Sequence, residues 1–283
     1  MFSLIAENQY GQRLELTNNN CYVVQSVEGI DPPDAVINTT RNAGADGSVF
    51  NSAYADNRVI TITLAINEPA EANRINLYKY FKSKAKVRLF YKNDTRDVYI
   101  DGYVQTFPVG FFQKKQVAQI TVFCNDPFFK NVDENITDFS AIQPAFEFPF
   151  FINEGEPIPF GEILLEQEHN IYNAGDVETG AVFIMRAIGS VTNPVIYNTI
   201  TNKYFRLNMT MNEGDEIRIN TQKKQKSVLL IRNGVTSNII GNLQSGSTWL
   251  QLAPADNVFT TSATANPENL QTYAVINALF EGV

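Results

Sequence analysis

This chain of 283 residues has little of the chemistry on which enzymes and metal sites depend. It contains one histidine, His169, which excludes a multi-histidine metal site. Cys21 and Cys124 have no second cysteine near them in the sequence, which excludes a zinc knuckle, a redox dithiol and a disulfide framework. We expect both cysteines to be buried or half-buried free thiols of a protein that is made in a reducing cytosol.

Only weak candidates for catalysis remain. His169 is the one histidine that could act as the base for a nucleophile, and it lies in an acidic segment just before a predicted strand, which favours a structural or surface role. The carboxylate pairs Glu166/Glu168 and Asp215/Glu216 resemble those of glycoside hydrolases, but solvated strand ends have the same spacing. We therefore expect no enzyme activity, no catalytic residue, no cofactor and no metal.

Long apolar runs and basic clusters are also missing. No stretch approaches the roughly 20 apolar residues of a membrane helix, and the N-terminal segment lacks the basic start of a secretion signal. These absences predict a protein that is made in the cytosol and is not inserted into a membrane. Asp and Glu number 30 against 22 Lys and Arg, a formal net charge of -8, which argues against a general nucleic-acid binder because phosphate binding needs a basic surface.

Aromatic and uncharged polar residues are abundant instead. The 20 Phe and 12 Tyr supply ample material for β-sandwich cores, and the length predicts about two domains. Residues 59–66 alternate apolar and polar side chains, which is the period of a half-buried strand. Residues 87–91 and 96–100 flank a polar turn and predict a hairpin, with a bulge expected at Gly102. Residues 117–124 predict a further strand.

One helix interrupts these predicted strands. Pro69 stands near its start, and an apolar set follows at helical spacing, so that we expect one buried face made of Ile75, Tyr78 and Phe81, with Leu77 beside them. A strand, a helix and a hairpin within one unit indicate an α+β domain of roughly 130 residues.

The composition changes beyond residue 130. Residues 131–160 combine four prolines with many aromatic side chains, which is typical of an ordered connector rather than of a flexible Gly/Ser linker. From residue 161 onward, short apolar segments alternate with turn signals such as Asn233-Gly234, a pattern typical of an all-β sandwich or jelly roll. The sequence thus predicts a domain over residues 1–130, a connector over 131–160 and an all-β domain over 161–283.

Two features of the sequence bear on ligand binding. The segment Gly44-Ala45-Asp46-Gly47 lacks the lysine and the following helix of a phosphate-binding loop, so we interpret it as a turn whose glycines take positive φ. Trp249 has the ring needed to stack on a sugar, but no set of polar side chains accompanies it. Alternation of Trp249 into the core of the all-β domain is the favoured interpretation.

An ordered series of short sequence blocks extends along nearly the whole chain. In the first half the blocks are residues 29–33 (GIDPP), 45–50 (ADGSVF), 58–62 (RVITI), 88–91 (RLFY), 99–104 (YIDGYV) and 126–129 (DPFF). In the second half they are residues 148–150 (FPF), 173–180 (NAGDVETG), 193–196 (NPVI) and 214–221 (GDEIRINT). In order and spacing this series resembles the distal tail proteins (Dit) of long-tailed phages that infect Gram-positive bacteria.

The resemblance implies a mainly β fold, in which an N-terminal α+β ring-forming domain (a β-sandwich with one helix) is followed by a C-terminal galectin-like all-β sandwich. It also implies a structural function, because Dit proteins form a hexameric ring at the distal end of the tail. The ring joins the tail tube to the tail-associated hub or fibre protein, and receptor-binding proteins dock on it where a baseplate exists. Such a virion protein is assembled in the host cytoplasm, and DNA passes through its channel.

Two further hypotheses concern surface chemistry. The acidic balance suggests that carboxylates facing the channel repel DNA and let it slide. The main alternative function is a carbohydrate-binding module of a tail tip that contacts the host surface. Galectins bind sugar through a set of His, Asn, Arg and Trp side chains, whereas here His169 lies outside the predicted sandwich pattern and Trp249 stands alone. A galectin-like fold therefore does not imply galectin activity.

Overall fold

The structure is a computed structural model that describes residues 2–44, 46–111, 115–139, 142–144, 161–163 and 168–283. The chain divides into two compact units, one of Met1–Val132 with Leu279–Val283 and one of Asp133–Ala278. Strands dominate both units, so the prediction of a mainly β chain with two domains is confirmed. Residues 131–160, the predicted connector, lie largely outside the described residues, and the predicted domain boundaries remain predictions.

The first unit combines a large antiparallel sheet with one helix and a separate hairpin. Its elements are β1 (Ser3–Asn8), β2 (Arg13–Glu15), β3 (Tyr22–Glu28), β4 (Ala35–Thr40), β5 (Val49–Ala55), β6 (Arg58–Ile66), α1 (Ala70–Tyr80), β7 (Lys86–Lys92), β8 (Asp97–Thr106), β9 (Gln116–Cys124) and β10 (Phe129–Asn131). The sheet has the order β2-β1-β7-β8-β9-β6-β3, while β4 and β5 form a two-stranded sheet with each other.

Side-chain alternation sets the two sides of this large sheet. In β6, Ile60, Ile62 and Leu64 are at most 1 % exposed, and the residues between them face outward, as the period of two predicts. The hairpin of β7 and β8 and the strand β9 also form where the sequence places them. The three strand predictions for this unit are therefore confirmed.

The bulge predicted at Gly102 is wrong. Gly102 pairs in register with Val87, and the register shift of β8 against β9 falls later, between Val104 and Thr106. The glycine answers a different need, because a Cβ at this position would lie 2.5 Å from Val122 Cγ1 and 2.8 Å from Cys124 Sγ. The close approach of β9, rather than a special backbone angle, requires the absence of a side chain.

The helix forms where it was predicted, but its buried face differs. Ile75 is 48 % exposed, whereas Asn73, Leu77 and Phe81 are buried at intervals of four residues. Hydrogen bonds explain why Asn73 is on the buried face. The Tyr22 hydroxyl donates to the Asn73 carbonyl at 3.0 Å, and the Asn73 side-chain amide donates to the Asn67 carbonyl. Within the described ranges, no helix has the length and hydropathy needed to cross a bilayer.

The described part of the second unit contains two larger antiparallel sheets and two two-stranded ones. Its strands are β11 (Asn135–Asp138), β12 (Ile142–Pro144), β13 (Gly161–Ile163), β14 (His169–Asn173), β15 (Thr179–Ala187), β16 (Val191–Thr192), β17 (Val195–Asn198), β18 (Lys203–Arg206), β19 (Thr210–Met211), β20 (Glu216–Asn220), β21 (Ser227–Arg232), β22 (Val235–Asn238), β23 (Gln251–Leu252), β24 (Ala255–Ser262) and β25 (Leu270–Ile276). One larger sheet has the order β11-β25-β15-β20-β21-β22, and the other has the order β14-β24-β17-β18, while the two-stranded sheets pair β12 with β13 and β16 with β19.

The core of this unit lies between the two larger sheets. Phe183 and Ile217 from the larger sheet and Phe205 and Phe259 from the smaller sheet are at most 1 % exposed and belong to one cluster. The predicted turn Asn233-Gly234 joins β21 to β22 with φ of 51° and 76°, values that Asn and Gly tolerate best. The all-β prediction for the second half is confirmed for the described residues, which add only two short 3₁₀ turns.

The chain returns to the first unit after β25. A last strand, β26 (Leu279–Phe280), pairs with β10, which itself pairs with β8. The first unit is therefore built from two separate stretches of sequence. Local periodicity gives no sign of this return, because a strand of two residues is too short to show an alternation.

Candidate interaction surfaces

His169, considered as a catalytic base, lies in the structure as a packing residue. It is the first residue of β14 and pairs with Phe259, so its placement outside the sandwich pattern is wrong. Its ring packs edge-on against Phe139 with centroids 5.2 Å apart. Burial lowers the pKa of the imidazole. The described residues contain no group of three His, Cys, Asp or Glu side chains that could hold a metal ion.

The carboxylates considered as catalytic pairs form ion pairs instead. Asp215 is 3 % exposed and accepts hydrogen bonds from Arg232, and Glu216 lies 2.7 Å from Arg186 Nε and 2.6 Å from Arg218 Nε. These partners stand on neighbouring strands or beside Glu216, where sheet pairing brings them together. Of the other pair, Glu166 lies outside the described residues.

The cysteines fit the interpretation made from sequence, whereas Trp249 lies beside the core instead of alternating into it, because Leu250 and Leu252 hold the core positions. Cys124 is fully buried and Cys21 is half-buried, and both are free thiols. Trp249 is half-buried against the edge of the second core. Its indole lies 5.4 Å from the Phe205 ring and 5.4 Å from Lys226 Nζ, so protein groups already contact the ring that a sugar would need.

An exposed hairpin projects from the first unit. We call it the arm, residues 35–55, which comprises β4, β5 and the turn between them. Eleven of its thirteen strand residues are exposed, and seven of these eleven are small or neutral polar residues. The other four are large and apolar: Ile37 and Phe50 are each 63 % exposed, Tyr54 57 % and Val49 54 %. Monomeric soluble proteins rarely expose so many large apolar side chains on one element.

The arm is nevertheless well ordered by its own hydrogen bonds. Asn51 Nδ2 donates to Thr40 Oγ1 at 2.6 Å, and the Asp56 amide donates to the Asp34 carbonyl at 2.8 Å at the base. Gly44 and Gly47 have φ of 84° and 87°, which confirms the turn predicted there; Ala45 lies outside the described residues. The arm thus has a defined shape before anything covers it.

A second uncovered surface lies on the outer side of the large sheet. Val59, Phe123 and Tyr103 are direct cross-strand neighbours on β6, β9 and β8, and we call them the aromatic patch. Val59 is 44 % exposed and Tyr103 46 %. Beside them lies a shallow cavity of about 420 Å³ that is also lined by Lys84 and Gln105.

The other half of the same outer side is charged. We call it the charged patch: Arg13 lies 2.7 Å from Glu7, and Arg88 donates two hydrogen bonds to Asp101 at 2.7 and 3.0 Å. Burial alone raises the pKa of Asp101, but the hydrogen bond and the charge of Arg88 outweigh it and hold the pKa below its usual value. One side of one sheet therefore carries an apolar patch next to a patch of paired charges.

Sequence reasoning found neither the arm nor the two patches. The arm strands, AVINTT and VFNSAYA, are typical of any half-buried strand, and only their lack of further pairing partners makes them an exposed element. The patches combine residues from strands far apart in sequence. The one local signal of the patches is that their residues occupy the outward-facing positions of alternating strands. This signal does not show which residues of other strands lie beside them.

Comparisons with known proteins match both units. Residues 9–124 match the family described as "Phage tail protein RIFT-related domain", and residues 174–273 match "Siphovirus-type tail component, C-terminal domain". The structure is similar to SPP1 Dit (gp 19.1), a paradigm of the hub adsorption apparatus in phages that infect Gram-positive bacteria, over 99 % of both chains with a TM-score of 0.68 and 15 % identity. It is also similar to a chain of the phage P2 baseplate in its activated conformation, over 100 % of both chains with a TM-score of 0.52 and 11 % identity. No curated protein matches the sequence.

Proposed function

The chain belongs to the distal tail (Dit) family of siphophage tail proteins, and from this premise we propose that six copies form the hub ring at the distal end of a phage tail. As a member of this family it is a structural component of the tail. The sixfold ring and its partners are the finer part of the proposal. The observation that carries it is the pair of different uncovered surfaces on the first unit, the arm and the aromatic patch.

A closed ring needs two different surfaces on each copy. In a head-to-tail contact, one surface of a subunit meets another surface of the next, and a suitable rotation closes the series. The arm is a separate two-stranded sheet, whereas the aromatic patch lies on the outer side of the large sheet. We place the arm of each copy against the aromatic patch of its neighbour.

The chemistry of the two surfaces supports this pairing. The strands of the arm contain no charged residue, and Phe50 and Tyr54 are large enough to bury substantial apolar area. The aromatic patch supplies Tyr103, Phe123 and Val59, and the cavity beside it has room for a side chain. The charged patch offers no such fit, because its acids and bases already neutralise each other.

The mass of the protein in solution tests the ring. We expect the wild-type chain to run as a hexamer or a multiple of six in light scattering coupled to size exclusion. The double variant Phe50→Asp/Tyr54→Asp puts charge on the arm and should run as a monomer with an unchanged melting temperature, because both side chains are exposed in the single chain. The control Tyr172→Asp changes an equally exposed ring, 59 % exposed, in the second unit and should keep the hexamer.

Two outcomes would contradict the proposal. A wild-type chain that stays monomeric at high concentration would count against self-assembly. A hexamer that survives both arm substitutions would show that the arm is not the contact. If Tyr172→Asp abolished the hexamer while the arm variant kept it, the contact would lie in the second unit.

We further propose the partners that a hub ring requires. The ring would join the tail tube on one side and the tail-associated hub or fibre protein on the other, and receptor-binding proteins would dock on the second unit, which we propose to be a galectin-like sandwich. Its two facing sheets with one shared core support that assignment. The virion position is tested by immunogold labelling: gold at the distal tip is expected, and gold along the tube or at the capsid would contradict it.

The net negative charge of the chain led to the hypothesis that carboxylates line a DNA channel, and the structure limits which carboxylates are candidates. Acids of the charged patch are paired with bases, so they contribute little net field. The exposed carboxylates near the base of the arm, Asp34 and Asp56 among them, are better candidates for the wall of a DNA channel. We expect Asp34→Lys/Asp56→Lys virions to eject DNA more slowly than wild type, and an unchanged ejection rate would remove this hypothesis.

A further inference from the structure

Residues 279–283, which we call the clasp segment, complete the first unit from a distant part of the sequence. Phe280 pairs with Phe129, and Leu279 pairs with Lys130, so that β26 adds to the sheet beside β10. Beyond this strand the Val283 amide donates to the Ile30 carbonyl at 3.2 Å. The segment is therefore bound along its length by main-chain hydrogen bonds.

Arg58 is the centre of the site that holds the clasp segment. It is only 3 % exposed, and all the acceptors of its guanidinium are main-chain carbonyls. Nε donates to Pro127 at 2.6 Å, Nη1 donates to Gly29 at 2.6 Å and Asp31 at 2.5 Å, and Nη2 donates to Glu281. One buried side chain thus ties two stretches of the first unit, residues 29–31 and Pro127, to the clasp segment.

The chemistry of Arg58 makes its partners interdependent. A guanidinium has five N–H donors in a fixed planar fork, so it can donate to all four carbonyls at once, whereas a lysine ammonium has only three donors. Burial lowers the pKa of Arg58, which reflects the loss of water around the charge. Its ring partner Phe129 lies 4.7 Å away and shields it further. Without the main-chain carbonyl of Glu281, Nη2 of this buried charge loses its acceptor.

A second arginine holds the same segment from the other side. Arg96 Nη1 donates to the Gly282 carbonyl, and its guanidinium lies 4.5 Å from the centroid of the Phe280 ring. Gly282 packs tightly, since a Cβ there would lie 3.1 Å from Pro32. The two arginines therefore bind main-chain carbonyls of the clasp segment, and the close contact with Pro32 leaves little room for a side chain at position 282.

We propose that the first unit contains a binding site for an extended main chain, that the clasp segment of the same chain is its occupant, and that ring assembly requires this site to be filled. Chains that lack residues 279–283 would then be kept out of the ring. The requirement for ring assembly rests on the proposed ring. The binding of the clasp segment in the site is independent of the ring, because it depends only on contacts within one chain.

Deletion of the clasp segment tests the proposal in a chain that is otherwise unchanged. We expect removal of residues 279–283 to lower the melting temperature by about 5 °C or more and to abolish the hexamer. The matched control is Glu281→Gln, which keeps the carbonyl that Arg58 binds and the length of the exposed side chain, and it should keep the hexamer and change the melting temperature far less than the deletion does. A synthetic peptide of residues 277–283 added to the deletion variant should restore both.

A milder variant covers the case in which the deletion does not fold. Arg58→Lys keeps the charge but loses the fork, and we expect the amides of residues 280 and 283 to exchange hydrogen at least tenfold faster than in wild type. Unchanged exchange, or a deletion variant with wild-type melting and assembly, would overturn the binding site. If the deletion lowers stability but wild type forms no ring, the binding site stands and the ring proposal falls. If the destabilised deletion variant still forms rings, the requirement for assembly is wrong.

Discussion

The Arg232 guanidinium and the Asp215 carboxylate form a two-point ion pair, with Nε 2.9 Å from Oδ1 and Nη2 2.5 Å from Oδ2. The same carboxylate accepts the Asn212 amide at 2.7 Å and so closes the turn between β19 and β20. Gly214 within this turn has a φ of 81°, which a residue with a side chain rarely adopts. A carboxylate that could be mistaken for half of a catalytic pair thus stabilises a turn.

Substitution of Asp215 should therefore lower stability without touching assembly. Asp215→Ala leaves the Asn212 amide without its acceptor, and we expect the free energy of unfolding to fall by about 1–3 kcal/mol in a urea titration. Asp215→Asn keeps an acceptor oxygen and should lose less. Equal stability of the alanine variant and wild type would show that the turn does not need the carboxylate.

The same ion pair predicts a dependence on pH. Hydrogen bonds from Arg232 hold the pKa of Asp215 below its usual value. A carboxyl whose pKa is lower in the folded chain stabilises it fully above the unfolded pKa of about 3.9, and this contribution is lost as pH falls through the folded pKa. The stability difference between wild type and Asp215→Asn should thus shrink from neutral to strongly acidic pH in parallel thermal melts. A difference that stays constant would contradict the ion-pair origin.

Gly102 should resist even the smallest side chain. The Cβ of Gly102→Ala would stand 2.5 Å from Val122 Cγ1 and 2.9 Å from the Phe123 carbonyl, and the backbone oxygen cannot turn away. We expect a loss of about 1–3 kcal/mol from overpacking, measured by chemical denaturation. Gly241→Ala is the control, since no atom lies within 4 Å of its added Cβ, and it should change stability by less than about 0.5 kcal/mol.

The two thiols should differ in reactivity. Burial raises the pKa of Cys124 to about 12, so almost no thiolate is present at mildly alkaline pH, whereas Cys21 is only half-buried. We expect iodoacetamide to modify Cys21 in the native protein and Cys124 only after denaturation, as read by intact mass. The variant Cys21→Ser isolates the second thiol. Rapid native alkylation of that variant would contradict the burial of Cys124.

Trp249 should matter for packing rather than for sugar binding. Its indole contacts Phe205 and Lys226, so Trp249→Ala should cost about 2 kcal/mol in stability. On a glycan array we expect the full chain to show no saturable binding that depends on this residue. Tyr172→Ala, which alters an exposed ring of the same unit, is the control. Binding that disappears only in the Trp249 variant would restore the carbohydrate-binding alternative.

Local patterns predicted most of the elements and fewer of their contacts. The alternation of residues 59–66 and the turn Asn233-Gly234 both act over a few residues, and both are found as predicted. The predicted buried face of α1 was wrong because Ile75, Leu77 and Phe81 allow more than one apolar stripe along the helix. The hydrogen bond from Tyr22 to Asn73 selects the stripe that is buried. That selection depends on a residue 51 positions away.

The sequence by itself determined that the chain is mainly β, that it has two domains with one early helix, and which phage protein family it resembles. Those properties follow from periodicity, composition and ordered blocks, which are local or additive along the chain. Only the tertiary structure decided that Arg58 binds the Glu281 carbonyl, that β4 and β5 of the arm pair only with each other among the described strands, and that Tyr103 lies beside Phe123. Each of these depends on which distant strands become neighbours, and a period of two defines the sides of a strand without naming the strand that will lie next to it.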